Sequence, residues 1–167
     1  MGKTLSLLGI GLAFLLAVPA AAAEGDAATL AAKLKEAKVS LQQGLSASAK
    51  DGKPISGKFE VEDGKLQLSV YTAKGDAFSE VIVDHKIGKV VKAEPITSGD
   101  DLIAAKSQND AMAKANTSLS AAVSRALKAN KGYRAVSATP SMKDGHPIAE
   151  ITLLKGTESK TVSEVLD

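Results

Sequence analysis

The sequence predicts an α+β fold of two tandem modules, each a helix packed on a small antiparallel β-sheet of three to four strands, with a helical linker between them. Three observations carry this reading. Hydrophobic periodicity changes from helical spacing to strict alternation twice along the chain. An Asp-Gly pair marks a hairpin in each half, at Asp63-Gly64 and at Asp144-Gly145. Three landmarks also recur in one order: "SLQQGLS" from Ser40 with "SLSAAVS" from Ser118, "EDGK" from Glu62 with "KDGH" from Lys143, and "SEVIVD" from Ser79 with "SEVLD" from Ser163. Landmarks repeated in order point to a duplicated unit, with short loop insertions to absorb the drift in spacing.

Residues 1–23 read as an export signal. Lys3 precedes the apolar run "LSLLGIGLAFLLAV", Pro19 breaks it, and Ala21 and Ala23 offer the small side chains that a signal peptidase admits, so cleavage is expected after Ala23. The run is shorter than the roughly 20 apolar residues that cross a bilayer. The chain contains no cysteine, which removes lipid attachment at a cysteine and disulfide bonding together. An exported chain of this kind folds on its core alone, which suits a bacterial periplasm or a secreted bacterial protein.

The first module spans 24–94. Its leading stretch "GDAATLAAKLKEAK" puts Ala27, Leu30, Leu34 and Ala37 on one helical stripe, with Asp26 near the positive end of the dipole. Ser40 is placed to cap a second helix whose inward stripe is Leu41, Leu45 and Ala49. Ile55, Gly57, Phe59 and Val61 then alternate with Ser56, Lys58, Glu60 and Glu62, the pattern of a half-buried strand. Leu66, Leu68 and Val70 continue the inward face beyond the Asp-Gly turn, a third strand is expected around Phe78 to Val83, and a fourth around Val90 to Ala93. Pro95 and Gly99 in "AEPITSGDD" mark the boundary.

A linker helix is expected in 95–116, with Asp100 and Asp101 at its start and Leu102, Ala105 and Met112 on its stripe. The second, shorter module spans 117–167. Ser118 caps a helix with Leu119, Val123, Ala126 and Leu127 on one face. Strands follow near Tyr133 to Met142, from Ile148 to Leu154, and after the turn "KGTE" to Asp167, so that "SEVLD" reads as a third strand. Pro140 cannot donate to a ladder, which places its strand at an edge or a bulge there.

The order of a Ser-Leu helix, strand, Asp-Gly turn and strand, closed by "SEVIVDHKIGKVVKA", resembles the PepSY module. Val39 to Ala93 is the fuller copy; Thr117 to Asp167 is the shorter one and lacks the glycine turn and final strand. The resemblance implies a non-catalytic unit of helix on antiparallel sheet. Such units occur in propeptides of thermolysin-like metallopeptidases, where they assist folding and restrain the protease, and as stand-alone exported or membrane-tethered bacterial proteins. It carries over no catalytic residue. The chain has no HExxH helix, so a protease would be restrained in trans.

The residues themselves support no reaction. With 21 basic and 19 acidic residues the chain is nearly neutral, and Phe59, Tyr71, Phe78 and Tyr133 are the aromatics beyond the export signal, which argues against nucleic acid. His85 and His146 lie in separate turns beside Asp84 and Asp144; a metal site would need those turns to meet, so both read as solvated turn residues. There is no GxSxG nucleophile motif. Glu60, Glu62 and Asp63 could gather a cation, but alternating outward charge is also how a sheet is solvated, and that reading is preferred. Asn116 opens an NTS glycosylation pattern that is discounted because Ser118 is needed as a cap. Lys33, Lys35 and Lys38 read as a solvated helix face.

No catalytic, cofactor-binding or metal residue is therefore assigned, no cofactor is expected, and the protein is not expected to be an enzyme. The function expected is binding of a protein partner in the periplasm or envelope, a peptidase being the partner that the resemblance implies, through a sheet edge or the face beside it. The alternative is a small-ligand or metal-ion carrier with its site between the modules or within the concave side of a sheet.

Overall fold

The predicted export segment up to Pro19 lies outside the residues that the computed structural model describes, which are 20–167, with side chains from residue 26. The leading helix α1 (Ala20–Leu34) begins earlier than its pattern suggested. Asp26 consequently sits inside the helix instead of at its positive end, and the cleavage point expected after Ala23 falls within it. Helix α2 (Leu41–Ser48) starts as expected. The Ser40 hydroxyl accepts from the Gln43 amide at 3.2 Å while the Gln43 side chain accepts from the Ser40 amide at 2.7 Å, a reciprocal capping box. The helix buries Leu41, Gly44, Leu45 and Ser48, then stops, which leaves Ala49 exposed instead of continuing the inward stripe.

Four strands follow, β1 (Lys53–Glu62), β2 (Lys65–Lys74), β3 (Ala77–Val83) and β4 (Val90–Ile96). The last of these runs past Ala93 through Pro95, so secondary structure breaks only at Thr97 and Ser98. Helix α3 (Gly99–Lys114) carries Asp100 and Asp101 in its first turn, where the dipole favours them. Ser118 caps α4 (Leu119–Ala129) by accepting from the Ala121 amide at 3.2 Å. The chain closes with β5 (Arg134–Lys143), β6 (His146–Lys155) and β7 (Glu158–Val165). In both Asp-Gly hairpins the two turn residues have positive φ, 47° and 73° at Asp63 and Gly64, 52° and 85° at Asp144 and Gly145. Such turns twist in the sense that right-twisted strands need.

All the strands join one antiparallel sheet in the order β4-β3-β2-β1-β5-β6-β7. The strands on either side of the linker thus form a single seven-stranded sheet, not two small ones. The junction is narrow: β1 and β5 pair only at Gly57 with Ala138 and Lys58 with Ser137. That explains Pro140, which lies in an interior strand but beyond the short stretch that pairs with β1, where its missing donor costs nothing.

The register corrects the most conspicuous repeat. One row of facing residues crosses the sheet as Val81, Val70, Gly57, Ala138, Ile151 and Val162. The counterpart of Val81 is therefore Val162. Ser163 to Val165 of "SEVLD" lie in the third strand of its half, which ends at Val165 and not at Asp167, and the stretch is slipped relative to "SEVIVD": Val165 pairs with Ile148 and is 55% exposed, whereas Val81 is fully buried. An odd-numbered slip moves every side chain to the other face.

A Cβ on Gly57 would stand 3.1 Å from Leu45 Cδ2, so this row faces α2, beside which α4 packs. Ser56 and Tyr71, one step along, point the other way and meet α3. The Ser56 hydroxyl donates to Gln108 Oε1 at 2.7 Å and the Tyr71 hydroxyl to Asp101 Oδ1 at 3.0 Å. With helices on both sides, β2 buries Ser69, Tyr71 and Ala73 as well as Leu68 and Val70, and the expected alternation of buried and exposed residues is lost there. One core cluster holds residues of both halves, from Leu34 and Leu41 to Leu153 and Leu166.

Candidate docking edge

The outer side of β7 is built by the register of its inner side. The Leu166 amide donates to the Pro147 carbonyl at 2.9 Å, and these residues continue the β6–β7 register. In an antiparallel ladder every second residue points its backbone groups at the same neighbour. Lys160, Val162 and Glu164 therefore bond to β6, and Ser159, Thr161, Ser163 and Val165 present theirs outward. Arg125 confirms that direction: from α4 it donates through Nη2 to the Val165 carbonyl, and its Nε stands 3.0 Å from Glu164 Oε2. Among the described residues, no strand pairs with the outer side of β7.

On the other half of the sheet the matching place is filled, because β4 lies outside β3. The match is close. The carbonyl of His85, just past β3, accepts from the Lys38 and Val39 amides at 2.8 and 3.1 Å; that of Leu166, just past β7, accepts from Asn116 and Thr117 at 2.7 and 2.9 Å. Lys53, at the start of β1, donates to the Met112 carbonyl at 3.0 Å, and Arg134, at the start of β5, donates to the Leu34 carbonyl at 3.0 Å. Arg134 also reaches the Val39 carbonyl at 2.6 Å and lies 5.2 Å from the Phe59 ring centroid. Each half's first strand thus holds the end of the other half's leading helix.

The two sheet edges differ in chemistry. β4 carries Pro95, which has no donor, together with Lys92 in an ion pair with Glu94 at 2.8 Å. Prolines and lysines are how natural edges discourage further strands. β7, "ESKTVSEV", has no proline and four outward-facing residues rich in hydroxyls.

The polar residues weighed from the sequence are dispersed. Glu60 is engaged by Lys58 at 2.7 Å and by the Ser69 hydroxyl at 2.9 Å, so it does not pool with Glu62 and Asp63. Burial pushes the neighbouring Glu80 carboxyl above its ordinary value, and the Glu60 charge adds to the shift while Ser69 and Lys58 oppose it. Burial likewise raises the Tyr71 hydroxyl, reinforced by its bond to Asp101. The Asp84 carboxylate is held below its usual range by the amides of Lys86 and Ile87, at 2.7 and 3.1 Å. His146 pairs with Asp167 at 2.7 Å on the surface, while His85 lines a polar pocket of about 470 Å³ with Asp84, Glu62 and Asp63. Among the described residues, no group of three or more His, Asp or Glu side chains is arranged to hold a metal ion. Asn116 and Ser118 are engaged at the start of α4, and Lys33 is paired with Glu36 at 3.5 Å. A more apolar pocket of about 370 Å³ lies between the end of α2 and the α3–α4 loop, lined by Leu45, Pro54, Met112 and Leu119 among others.

Sequence reasoning did not single out Arg125 or Arg134. The signal was present: they are the only two arginines in a chain whose other cations are lysines. A rigid guanidinium fork suits fixed backbone acceptors better than an ammonium does.

What the fold and this edge define is an α+β protein with one helix-flanked antiparallel sheet and, among the described residues, an outer strand β7 that carries Lys160 but no proline. No protein-family model matches the chain, and no curated protein matches it. Among solved structures, a "putative lipoprotein" from Clostridium difficile 630 is similar over 72% of this chain and 79% of its own, with 11% identity and a TM-score of 0.42. No helix among the described residues is long and apolar enough to cross a membrane.

Proposed function

We propose that this is an exported, non-catalytic binding protein of two PepSY-like units, which takes an extended segment of a protein partner along the outer side of β7. The observation that carries this reading is the asymmetry of the sheet: the place outside β3 holds β4, whereas among the described residues no strand pairs with the outer side of β7, where Arg125 engages the Val165 carbonyl. Strand addition would satisfy the outward backbone groups of β7, with main-chain bonds giving affinity and alternate side chains giving selectivity. A peptidase restrained in trans is the partner class suggested by the PepSY-like order of elements. The export signal read in residues 1–23 favours a partner in a bacterial envelope or outside the cell.

The experiment is affinity capture from envelope extract of the source organism, run side by side with the protein and its Ser163→Pro variant. Proline removes an outward amide that β6 does not use. The expected result is one near-stoichiometric partner recovered by the native protein and lost with the variant. Equal recovery by both would remove β7 from the mechanism. A carrier of small ligands is the second reading, favoured by the apolar pocket beside Met112 and Leu119. It is distinguished by a rise in melting temperature in a metabolite and metal screen.

A further inference from the structure

The side chains of β7 are complementary to β7 itself. The fold already accepts an antiparallel strand at the matching place of the other half, where β4 pairs with the outer side of β3. The outward backbone groups belong to Ser159, Thr161, Ser163 and Val165, so a second β7 related by a twofold axis can pair only in registers that set these residues against one another. Charge decides among them. Setting Thr161 opposite Thr161 puts Glu158 against Glu164, two like charges. Sliding one way, so that Ser159 faces Thr161, puts Lys160 against Lys160. Sliding the other way, so that Thr161 faces Ser163, puts Lys160 against Glu164 twice and Val162 against Val162. Of the remaining registers, Ser163 opposite Ser163 gains no ion pair, Ser163 opposite Val165 sets Glu164 against Glu164, and Ser159 opposite Ser159 pairs Glu158 with Lys160 but overlaps only the first three residues of each strand. Opposite charges across strands attract and like charges repel, so the register with Thr161 facing Ser163 is selected.

Both charges are already held at the edge. Lys160 lies 4.3 Å from the Tyr133 ring centroid, and Glu164 is fixed by Arg125. The four bonds between the Thr161 and Ser163 backbones leave the Arg125 contact to the Val165 carbonyl in place. A carbonyl has a second lone pair for the Ser159 amide farther out.

We propose that two copies of this protein pair through β7 with Thr161 facing Ser163, to give one continuous sheet across a twofold axis. This goes beyond the partner reading: the dimer is a form in which the docking edge is occupied by the protein itself and must open before another segment enters. An isologous pair of edges closes on itself, whereas β7 against β4 would propagate without end.

The test uses the purified protein in analytical ultracentrifugation and the absence of native cysteine. The protein is expected to dimerise with concentration. Lys160→Glu alone and Glu164→Lys alone are each expected to weaken the dimer by roughly tenfold or more, and the double variant to restore it. Val162→Cys is expected to form a disulfide dimer under mild oxidation, because facing residues of a non-hydrogen-bonded pair have Cα atoms only about 4.5 Å apart. Thr161→Pro, which spares the β6 ladder, is expected to leave a folded monomer by circular dichroism. A protein that stays monomeric at about 100 μM, far above the concentration a specific dimer of micromolar affinity needs, overturns the proposal. So does a dimer indifferent to both the charge exchange and Thr161→Pro. Partner capture is read with Lys160→Glu, which keeps every outward amide of β7: a weakened dimer that still captures the partner supports both readings, and a weakened dimer that captures nothing counts against the partner reading while leaving the dimer in place.

Discussion

At the scale of single residues, the fold rests on side chains that close backbone groups. Ser40 satisfies the Gln43 amide and receives the Gln43 side chain in return, so Ser40→Ala is expected to lower stability by about 1 kcal/mol in urea denaturation. Arg134 closes the Val39 carbonyl and adds a second donor to the Leu34 carbonyl, which already accepts from the Ala37 amide. Arg134→Ala is expected to cost about 2–3 kcal/mol, since bonds to a charged donor are the stronger kind. Glu80 works in the opposite direction. Its folded-state pKa is raised by burial, so the folded protein holds that proton more tightly than the unfolded chain does, and the charged form opposes folding above the carboxylate range. Glu80→Gln is accordingly expected to raise the melting temperature at pH 7, with the gain shrinking as pH falls through the folded-state pKa, where the native carboxyl is neutral. A gain that persists unchanged at acid pH would assign the effect to packing instead. None of these roles except the Ser40 and Ser118 caps could be read from the sequence, because a cap is a local pattern and the partners of Arg134 and Glu80 lie in other elements.

At the scale of elements, period and turn chemistry were legible and register was not. The Asp-Gly hairpins, the Leu41–Leu45 stripe and the Leu119–Val123 stripe depend only on neighbours in the chain, and each stands where its pattern placed it. The "SEVLD" repeat looked like the strongest match and is slipped by register, because identity of letters says nothing about which residue faces Ile148. Likewise, nothing local in "QLSVYTA" shows that α3 returns to cover Tyr71. Close approach of α2 to the sheet has a direct check. A methyl on Gly44 would lie 2.6 Å from Leu68 Cδ2, so Gly44→Ala is expected to destabilise by about 1–3 kcal/mol through overpacking. Ser46→Ala, on the exposed side of the same helix, is expected to change stability by less than about 0.5 kcal/mol.

At the scale of the molecule, the halves exchange contacts across a narrow seam: two facing pairs between β1 and β5, the Lys53 and Arg134 bonds to opposite helix ends, and one shared core. A shared core of this size is expected to unfold as a unit. The chain has two tyrosines and no tryptophan, Tyr71 in one half and Tyr133 in the other, so Tyr133→Phe and Tyr71→Phe variants report each half separately by fluorescence. Coincident urea transitions are expected; well-separated ones would describe two independent units.

The central claim is that β7 presents alternate backbone groups to a segment from outside. Amide hydrogen exchange by NMR, at dilution and then with the captured partner, tests it most directly. In the dilute free protein Lys160, Val162 and Glu164 should be protected while Ser159, Thr161 and Ser163 exchange quickly, and the partner should slow those three. Uniform protection along β7 without partner, or fast exchange at Thr161 and Ser163 in the complex, would contradict it.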